Sequence, residues 1–414
     1  MSKRSRIAAF FAALGVLVAV AVVLTIAARP GVVSAAAHPG SAASSTTYSV
    51  SADLDTCGAG WGSGAKAHVN GGDQTFTVTN RTVAGIEVYL QAADSKKVYL
   101  DLESIGAAAR ATARVTLGSG RYRFVCLPAD ADPVRGPTVM VGAAPPGAQL
   151  TPGIVPVTRN DLIPVAQTYG RWVASRIPVL RQQVALLGDD ASEGHLAASR
   201  HDWLTAHQTY QTLGAAYDAF GDLGDAIDGM PAPGRTAADD PGLTGFHKIE
   251  ALLWPGSGAV PDTTSGAIPA AIARLASDTA QLATDFADAE IDPNDIGLRA
   301  HEIVENAIQF DLTDATDAGS GSTLASIDAE LTGAEQALAP LHDILSSRYE
   351  ALAATMASLV SSHRLVETYR HADGTWTPLA SLPRADRQRL DAALDEAAEL
   401  LAPVAAICDI RRES

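Results

Sequence analysis

The apolar pattern of this chain changes period once, across the Pro/Gly-rich stretch AAPPGAQLTPGIVP (Ala143–Pro156), and that switch constrains the fold more than any other feature. Before it lie short β-like runs broken by Gly and Asn: Gln74–Asn80, Gly85–Gln91, Arg110–Leu117, Arg121–Leu127 and Pro137–Gly142. Alternation is clearest in Thr75–Thr79 and Tyr122–Leu127, so residues 48–143 are expected to form a small all-β sandwich or open barrel. Beyond a linker at 144–158, apolar residues recur every three or four positions. The runs are Leu162–Leu186, His195–Ala219, Ile268–Ala287, Leu298–Leu312, Leu324–Leu338, Arg348–Tyr369 and Arg384–Ile407. That is the signature of amphipathic helices, and residues 159–414 are read as an all-α bundle. Breaks are expected at Gly188-Asp189, Gly229–Gly242, Pro255–Pro269 and Gly319–Ser322, with a hairpin turn at Asp373-Gly374. The chain is therefore multidomain, β first and α second.

The first 29 residues have a different character. Lys3, Arg4 and Arg6 precede an uncharged run from Ile7 to Ala28, closed by Arg29-Pro30. At ~1.5 Å per residue such a run crosses a ~30 Å bilayer core. Residues 1–29 are expected to be a signal sequence or membrane anchor, with the rest of the chain extracytoplasmic (periplasm or cell surface). Small residues Ser34–Ala36 leave cleavage open, and residues 30–47 read as a flexible spacer. A net charge of −17 argues against nucleic acid as a partner and favours cations.

Three groups of residues can carry chemistry in the helical half. His247 and Glu250 stand three apart in TGFHKIEALLWPG, on one helix face and within reach of one ion. Imidazole plus carboxylate suits iron, zinc, copper or manganese better than calcium. Upstream, Asp218, Asp222, Asp225 and Asp228 follow at four, three and three, one stripe if the helix persists, with His207, Gln211 and Gly214 on the same stripe. The competing reading of each is a solvated polar face. In AHEIVEN, His301 and Glu305 border the apolar face set by Ala300, Val304, Ala307 and Ile308, whereas Glu302 points further round, so periodicity favours Glu305 as the inward acid. No Walker loop, G-x-S-x-G or H-E-x-x-H occurs.

The β half holds Cys57 and Cys126. Export into an oxidising compartment makes a disulfide their expected state, the alternative being a paired-thiolate metal site with Glu87. A blue-copper centre needs two His, a Cys and an axial Met, and this half has only His68 and Met140 besides its cysteines. Cys408, on an apolar helix face, reads as a buried thiol.

WLTAHQTYQTLGAAYDAFGDLGDAID (Trp203–Asp228), followed by DPGLTGFHKIEALLWPG (Asp240–Gly256), resembles the EfeO/imelysin-like family. YRHADGTWTPLASLPRADRQRL (Tyr369–Leu390) is similar to that family's last helical hairpin, and DTCGAGW, GIEVYL and YRFVCLPADADPVRGPTVMVG resemble the cupredoxin-like domain that often precedes it. The likeness covers nearly everything after about residue 48, and GFHKIEALLW is its most specific element. It implies a cupredoxin-like sandwich before an imelysin-like bundle. It also implies a site of His247 and Glu250 with Asp228 and a later glutamate at Glu302, or Glu305 by periodicity; the aspartate stripe adds Asp225, and Gln211, as further candidates. Acidic positions that the family often has fall on Gln211 and Gly214. The implied function is a non-enzymatic, iron-binding component of an Efe-type uptake system, with copper or zinc as alternative ions. The implied partners are an iron permease and a haem-dependent peroxidase. The alternatives are an imelysin-like metallopeptidase and a metal-dependent acidic-polysaccharide-binding protein.

Overall fold

Strict alternation over Gly72–Asn80 gives one strand two unlike faces: Phe76 and Val78 are fully buried, whereas Thr75, Thr77 and Thr79 are half-buried. The computed structural model describes residues 46–62, 68–128, 131–256 and 259–410. The expected leader or anchor at 1–29, and all but the last two residues of the spacer, lie outside that range.

Among the described residues the β half forms two sheets. One has the order β2 (Cys57–Ala59), β1 (Thr46–Ala52), β4 (Gly72–Asn80), β7 (Arg110–Leu117). The other runs β3 (His68–Val69), β10 (Val139–Val141), β8 (Gly120–Pro128), β5 (Ile86–Ala92), β6 (Val98–Ile105), with β9 (Val134–Arg135) paired to β8. Inward residues of both sheets share one core. At its centre Trp61, Phe76 and Phe124 meet edge to face with centroids 5.2–5.4 Å apart. Cys57 and Cys126 are joined in a disulfide, Cα–Cα 5.7 Å. The sulfurs are thus not free thiolates. Val88 stands opposite Cys126, so the alternation that turns Val88 to the core turns Glu87 to the other face. There Glu87 lies with Asp101 and Glu103, not with the sulfurs.

The linker is held at both sides. Ile154 exchanges backbone hydrogen bonds with Val98 (2.7 and 2.9 Å), and Arg348 Nε donates to the Val155 carbonyl at 2.9 Å. Thr158 then opens the first helix through a reciprocal cap with Asp161. The helices are α1 (Arg159–Ser192), α2 (Leu196–Gln211), α3 (Asp222–Asp228), α4 (Gly245–Leu253), α5 (Ala267–Asp285), α6 (Asp295–Asn306), α7 (Thr323–Leu338), α8 (His342–Ser346), α9 (Leu352–Glu367) and α10 (Arg384–Cys408). Helix α1 runs through the break expected at Gly188-Asp189, because Leu187 is still on its buried stripe and Gly188 faces Ile272 of α5. It packs on α2 and α5; α7 touches α2, α6 and α9, and α10 closes on α6 and α9. The β-sandwich followed by a helical domain is what the sequence pattern called for. Among the described residues no helix is long and apolar enough to cross a membrane.

Candidate metal centre

The buried stripe of α2 contains Trp203, Ala206, His207, Tyr210 and Gln211. Trp203 Nε1 donates to the Phe246 carbonyl at 3.0 Å, binding α2 to α4, and the His207 ring lies between Trp203 (4.9 Å) and Phe246 (5.0 Å). Helix α2 stops at Gln211 rather than reaching Ala219. The chain tightens into a 3₁₀ turn, Gly214–Phe220, whose first residue abuts α6. A Cβ on Gly214 would stand 2.9 Å from Ile303 Cγ1, so a side chain there, acidic or otherwise, would force Ile303 to shift. The chain breaks again at Gly221 before α3. The four-aspartate stripe is thereby divided. Asp218 pairs with Arg299, Asp222 and Asp225 are exposed, and only Asp228 turns inward. Asp225 is therefore not a member of the centre.

Asp228 reaches His247 because α3 ends hard against the start of α4. Gly245 has φ +74°, and a Cβ there would fall 2.0 Å from the Ile227 carbonyl oxygen, a contact only glycine allows. Thr244 Oγ1 adds a hydrogen bond to the Ala226 carbonyl at 2.7 Å. The irregular loop between these helices is pinned by Lys248, whose Nζ donates to the carbonyls of Ala237, Ala238 and Asp240 at 2.8–3.1 Å.

The result is a convergence of three potential ligands. His207 Nε2 is 3.1 Å and His247 Nε2 3.6 Å from the same oxygen, Asp228 Oδ1. One donor atom from each lies within 4.8 Å of the others. Gln211 Nε2 sits 3.0 Å from His207 Nε2 and donates to Asp228 Oδ2 at 3.2 Å, while its Oε1 accepts from Tyr217 at 2.9 Å. Turning that amide over would present its oxygen to the same space.

Glu250 stands on the other side of His247, its Oε2 3.5 Å from Nδ1. Its Oε1 accepts from the Ala318 N–H (3.0 Å), the Ser320 N–H (3.0 Å) and the Ser320 hydroxyl (2.6 Å). In this arrangement Glu250 holds the loop before α7 and faces His247 Nδ1 as an ion-pair partner, without a hydrogen bond to it.

Glu302 and Glu305 do not join this group. Arg299 holds Glu302 at 2.6 Å, and His301 faces Glu305 at 3.3 Å with the Glu305 side chain 53% exposed. The inward face of α6 carries Ile296, Ala300, Ile303 and Val304, which leaves both acids outside. The acid that does turn in is Asp311, in the wide turn after α6, 4% exposed and hydrogen-bonded by Thr316 Oγ1 at 2.7 Å. Sequence reasoning missed it, although the spacing 300, 304, 307, 311 continues the buried stripe past the helix end. Glu330 of α7 lies against Asp311.

The electrostatics follow from burial and crowding. Burial opposes a charge on His247, yet Asp228, Glu250 and Asp311 outweigh it and push its pKa up to about 9. Burial would raise Glu250, but His247 and Ser320 bring it below its ordinary value. Asp311 is pushed up to about 6 by burial, against the pull of Thr316, His207 and His247. Glu330 is raised well above the carboxylate range, by burial and then by Asp311 and Asp228. Without an ion His247 thus keeps its proton at neutral pH, beside Asp311 and Glu330, whose ionisation burial opposes. A cation entering would take that proton's place. His247 also lines an open cavity of 710 Å³, together with Met230, Arg235, Trp254, Asp314 and Asp317.

Residues 165–404 match the imelysin family (Peptidase M75). The chain is 25% identical over 246 residues to the iron uptake system component EfeO of Yersinia pseudotuberculosis and of Yersinia pestis, matching 58% of this chain and 62% of each relative. It thus spans less than two thirds of the length of these curated relatives. A solved structure of an iron-regulated protein A precursor from Parabacteroides distasonis covers 61% of this chain and 96% of its own, at 12% identity and a TM-score of 0.46, too distant a likeness to carry an argument. The family match alone takes in well over half of the sequence, and its span holds every residue of the buried histidine–aspartate centre: the chain belongs to the imelysin family.

Proposed function

We propose that this protein is the extracytoplasmic, non-enzymatic metal-binding component of an Efe-type iron uptake system, which captures iron or a similar transition ion and passes it to a membrane permease. The observation that carries the reading is the meeting of two buried imidazole nitrogens on one carboxylate oxygen, under a loop held by a second acid. His207, Asp228 and His247 would hold the ion, with Gln211 and Asp311 alongside and Glu250 behind His247. The EfeO names of its relatives support iron as the cargo, and a haem-dependent peroxidase is the second partner in that reading. The open cavity beside His247 gives an ion a way in and a partner a way to receive it.

Calorimetric titration of the purified protein with Fe2+, under anaerobic conditions, and with Zn2+ tests the proposal. About one ion per chain is expected, with binding lost in a His247→Ala/Glu250→Ala variant. Unchanged binding in that variant would remove the site from this location. Metal-dependent hydrolysis of peptides, or metal-dependent retention on an acidic polysaccharide, would replace transport by one of the other two readings.

A further inference from the structure

Away from the buried centre, a second set of ligating side chains meets across the seam between α7 and α9. We propose that Asp328, His363 and Glu367 form a separate, solvent-reached site for a borderline divalent ion such as Zn2+, which clamps α7 to α9. No residue is shared with the buried centre, so the site stands or falls independently of the function proposed above.

Helical spacing builds the site from both sides. On α9, His363 and Glu367 are four apart and share a face; on α7, Asp328 and Glu335 are seven apart, two turns along one stripe. Where the two helices pack, one donor atom from each of Asp328, His363 and Glu367 comes within 4.8 Å of the others. Ligands held tetrahedrally at ~2.0–2.2 Å from zinc stand about 3.4 Å apart, so small side-chain rotations close the set on one ion. An imidazole with two carboxylates favours a borderline divalent ion over calcium, which takes oxygen ligands.

A plain salt bridge does not account for the cluster. One imidazolium is matched by one acid, whereas three surround His363: Asp328 Oδ1 at 2.9 Å from Nε2, Glu335 Oε1 at 3.5 Å from Nδ1, and Glu367. Asp328 Oδ1 is buried and accepts no hydrogen bond, which leaves it a lone pair for a metal ion. Glu335 stands at the opposite ring nitrogen, placed to take the Nδ1 proton and hold the ring while Nε2 faces the ion. Glu367 is exposed at the last position of α9, so an ion can arrive from solvent and water can complete its shell. The surrounding acids push the His363 pKa up to about 10, above the value of about 9 for His247. With one imidazole and a more tightly held proton, the site fills after the buried centre, once zinc is in excess.

Equilibrium dialysis of the purified protein against micromolar to millimolar Zn2+, read by elemental analysis, tests the proposal. A second equivalent is expected beyond the one at the buried centre, at least about tenfold weaker. His363→Asn and Glu367→Gln should each abolish the second equivalent and leave the first; Glu367 is exposed, so its variant serves if the other folds poorly. Glu335→Gln should weaken the second equivalent about tenfold without removing it. A second equivalent with the first missing would bring down the buried centre and leave this inference standing. No second equivalent at millimolar zinc, or one intact in both variants, would overturn it. So would a second equivalent lost instead in His195→Asn, which would place the ion at the exposed group of Asp190, Glu193 and His195.

Discussion

At the scale of single residues, His247 sits among Asp228, Glu250 and Asp311 and is the group most changed by its surroundings. The histidine of an isolated peptide loses its proton near ~6.5, so a histidine ligand read from sequence alone would begin to lose its ion only below about pH 6.5. With the pKa pushed up to about 9, the sign is the same but the window moves. Each bound ion must displace that proton, so Zn2+ affinity should rise by about tenfold per pH unit from pH 7 toward 9 and then level off. Titration at closely spaced pH values checks this; a profile already flat above pH 7 would show that His247 is not a ligand. Glu250 acts through its neighbours. Glu250→Gln keeps the shape but weakens the hold on His247 and on the Ala318–Ser320 loop, and should lower metal affinity roughly 10- to 100-fold without abolishing it. Complete loss of binding in a folded Glu250→Gln protein would instead make it a direct ligand.

At the scale of elements, what brings the centre together is the close approach of α3 to α4. Gly245→Ala would place a methyl 2.0 Å from the Ile227 carbonyl at φ +74°. It should cost at least about 1–3 kcal/mol of stability and, by parting Asp228 from His247, weaken Zn2+ binding. Thermal melts with and without the ion read both effects, and an unperturbed variant would refute the argument. A second contact joins α7 to α9. His363 meets Asp328 at 2.9 Å and Glu335 at 3.5 Å, and these carboxylates push its pKa up to about 10 despite partial burial. Because the folded value lies above the unfolded ~6.5, the contribution is full below that value and is lost as pH rises through about 10. The Tm deficit of His363→Ala should therefore shrink between pH 6 and pH 10; a constant deficit would assign it to packing. Much of this was legible in the sequence, because periodicity reports burial wherever a regular element persists. Arg110–Leu117 was found to the residue, and Thr323–Leu338 within one position. Strand β6 went unnoticed, since an outer strand with Asp101, Glu103 and Ser104 alternates poorly. The stripe Asp218–Asp228 misled because helical spacing has no meaning across Gly221, where the chain leaves the helix. Asp311 was missed although the stripe of α6 runs on to it through the turn that follows, and Glu305 was mistaken for the inward acid in its place.

At the scale of the whole molecule, the two halves draw their stability from different sources. The β half is crosslinked by Cys57–Cys126 across 69 residues, worth about 4 kcal/mol in the chain-entropy account. Reduction should lower the melting temperature of that half while leaving Zn2+ binding unchanged, since every residue of the centre belongs to the helical half. Joint loss of both would mean that the halves melt as one unit. The helical half buries its own large core and keeps a strongly polar place inside it, where α2, α3 and α4 meet the turn after α6. That place is the centre of the account, and anomalous diffraction from crystals grown with Zn2+ tests it most directly. The account predicts a single strong peak at about 2.1 Å from His207 Nε2, from His247 Nε2 and from an Asp228 oxygen. A lattice that binds zinc only elsewhere, for instance between Asp328, His363 and Glu367, with nothing at Asp228, would contradict it.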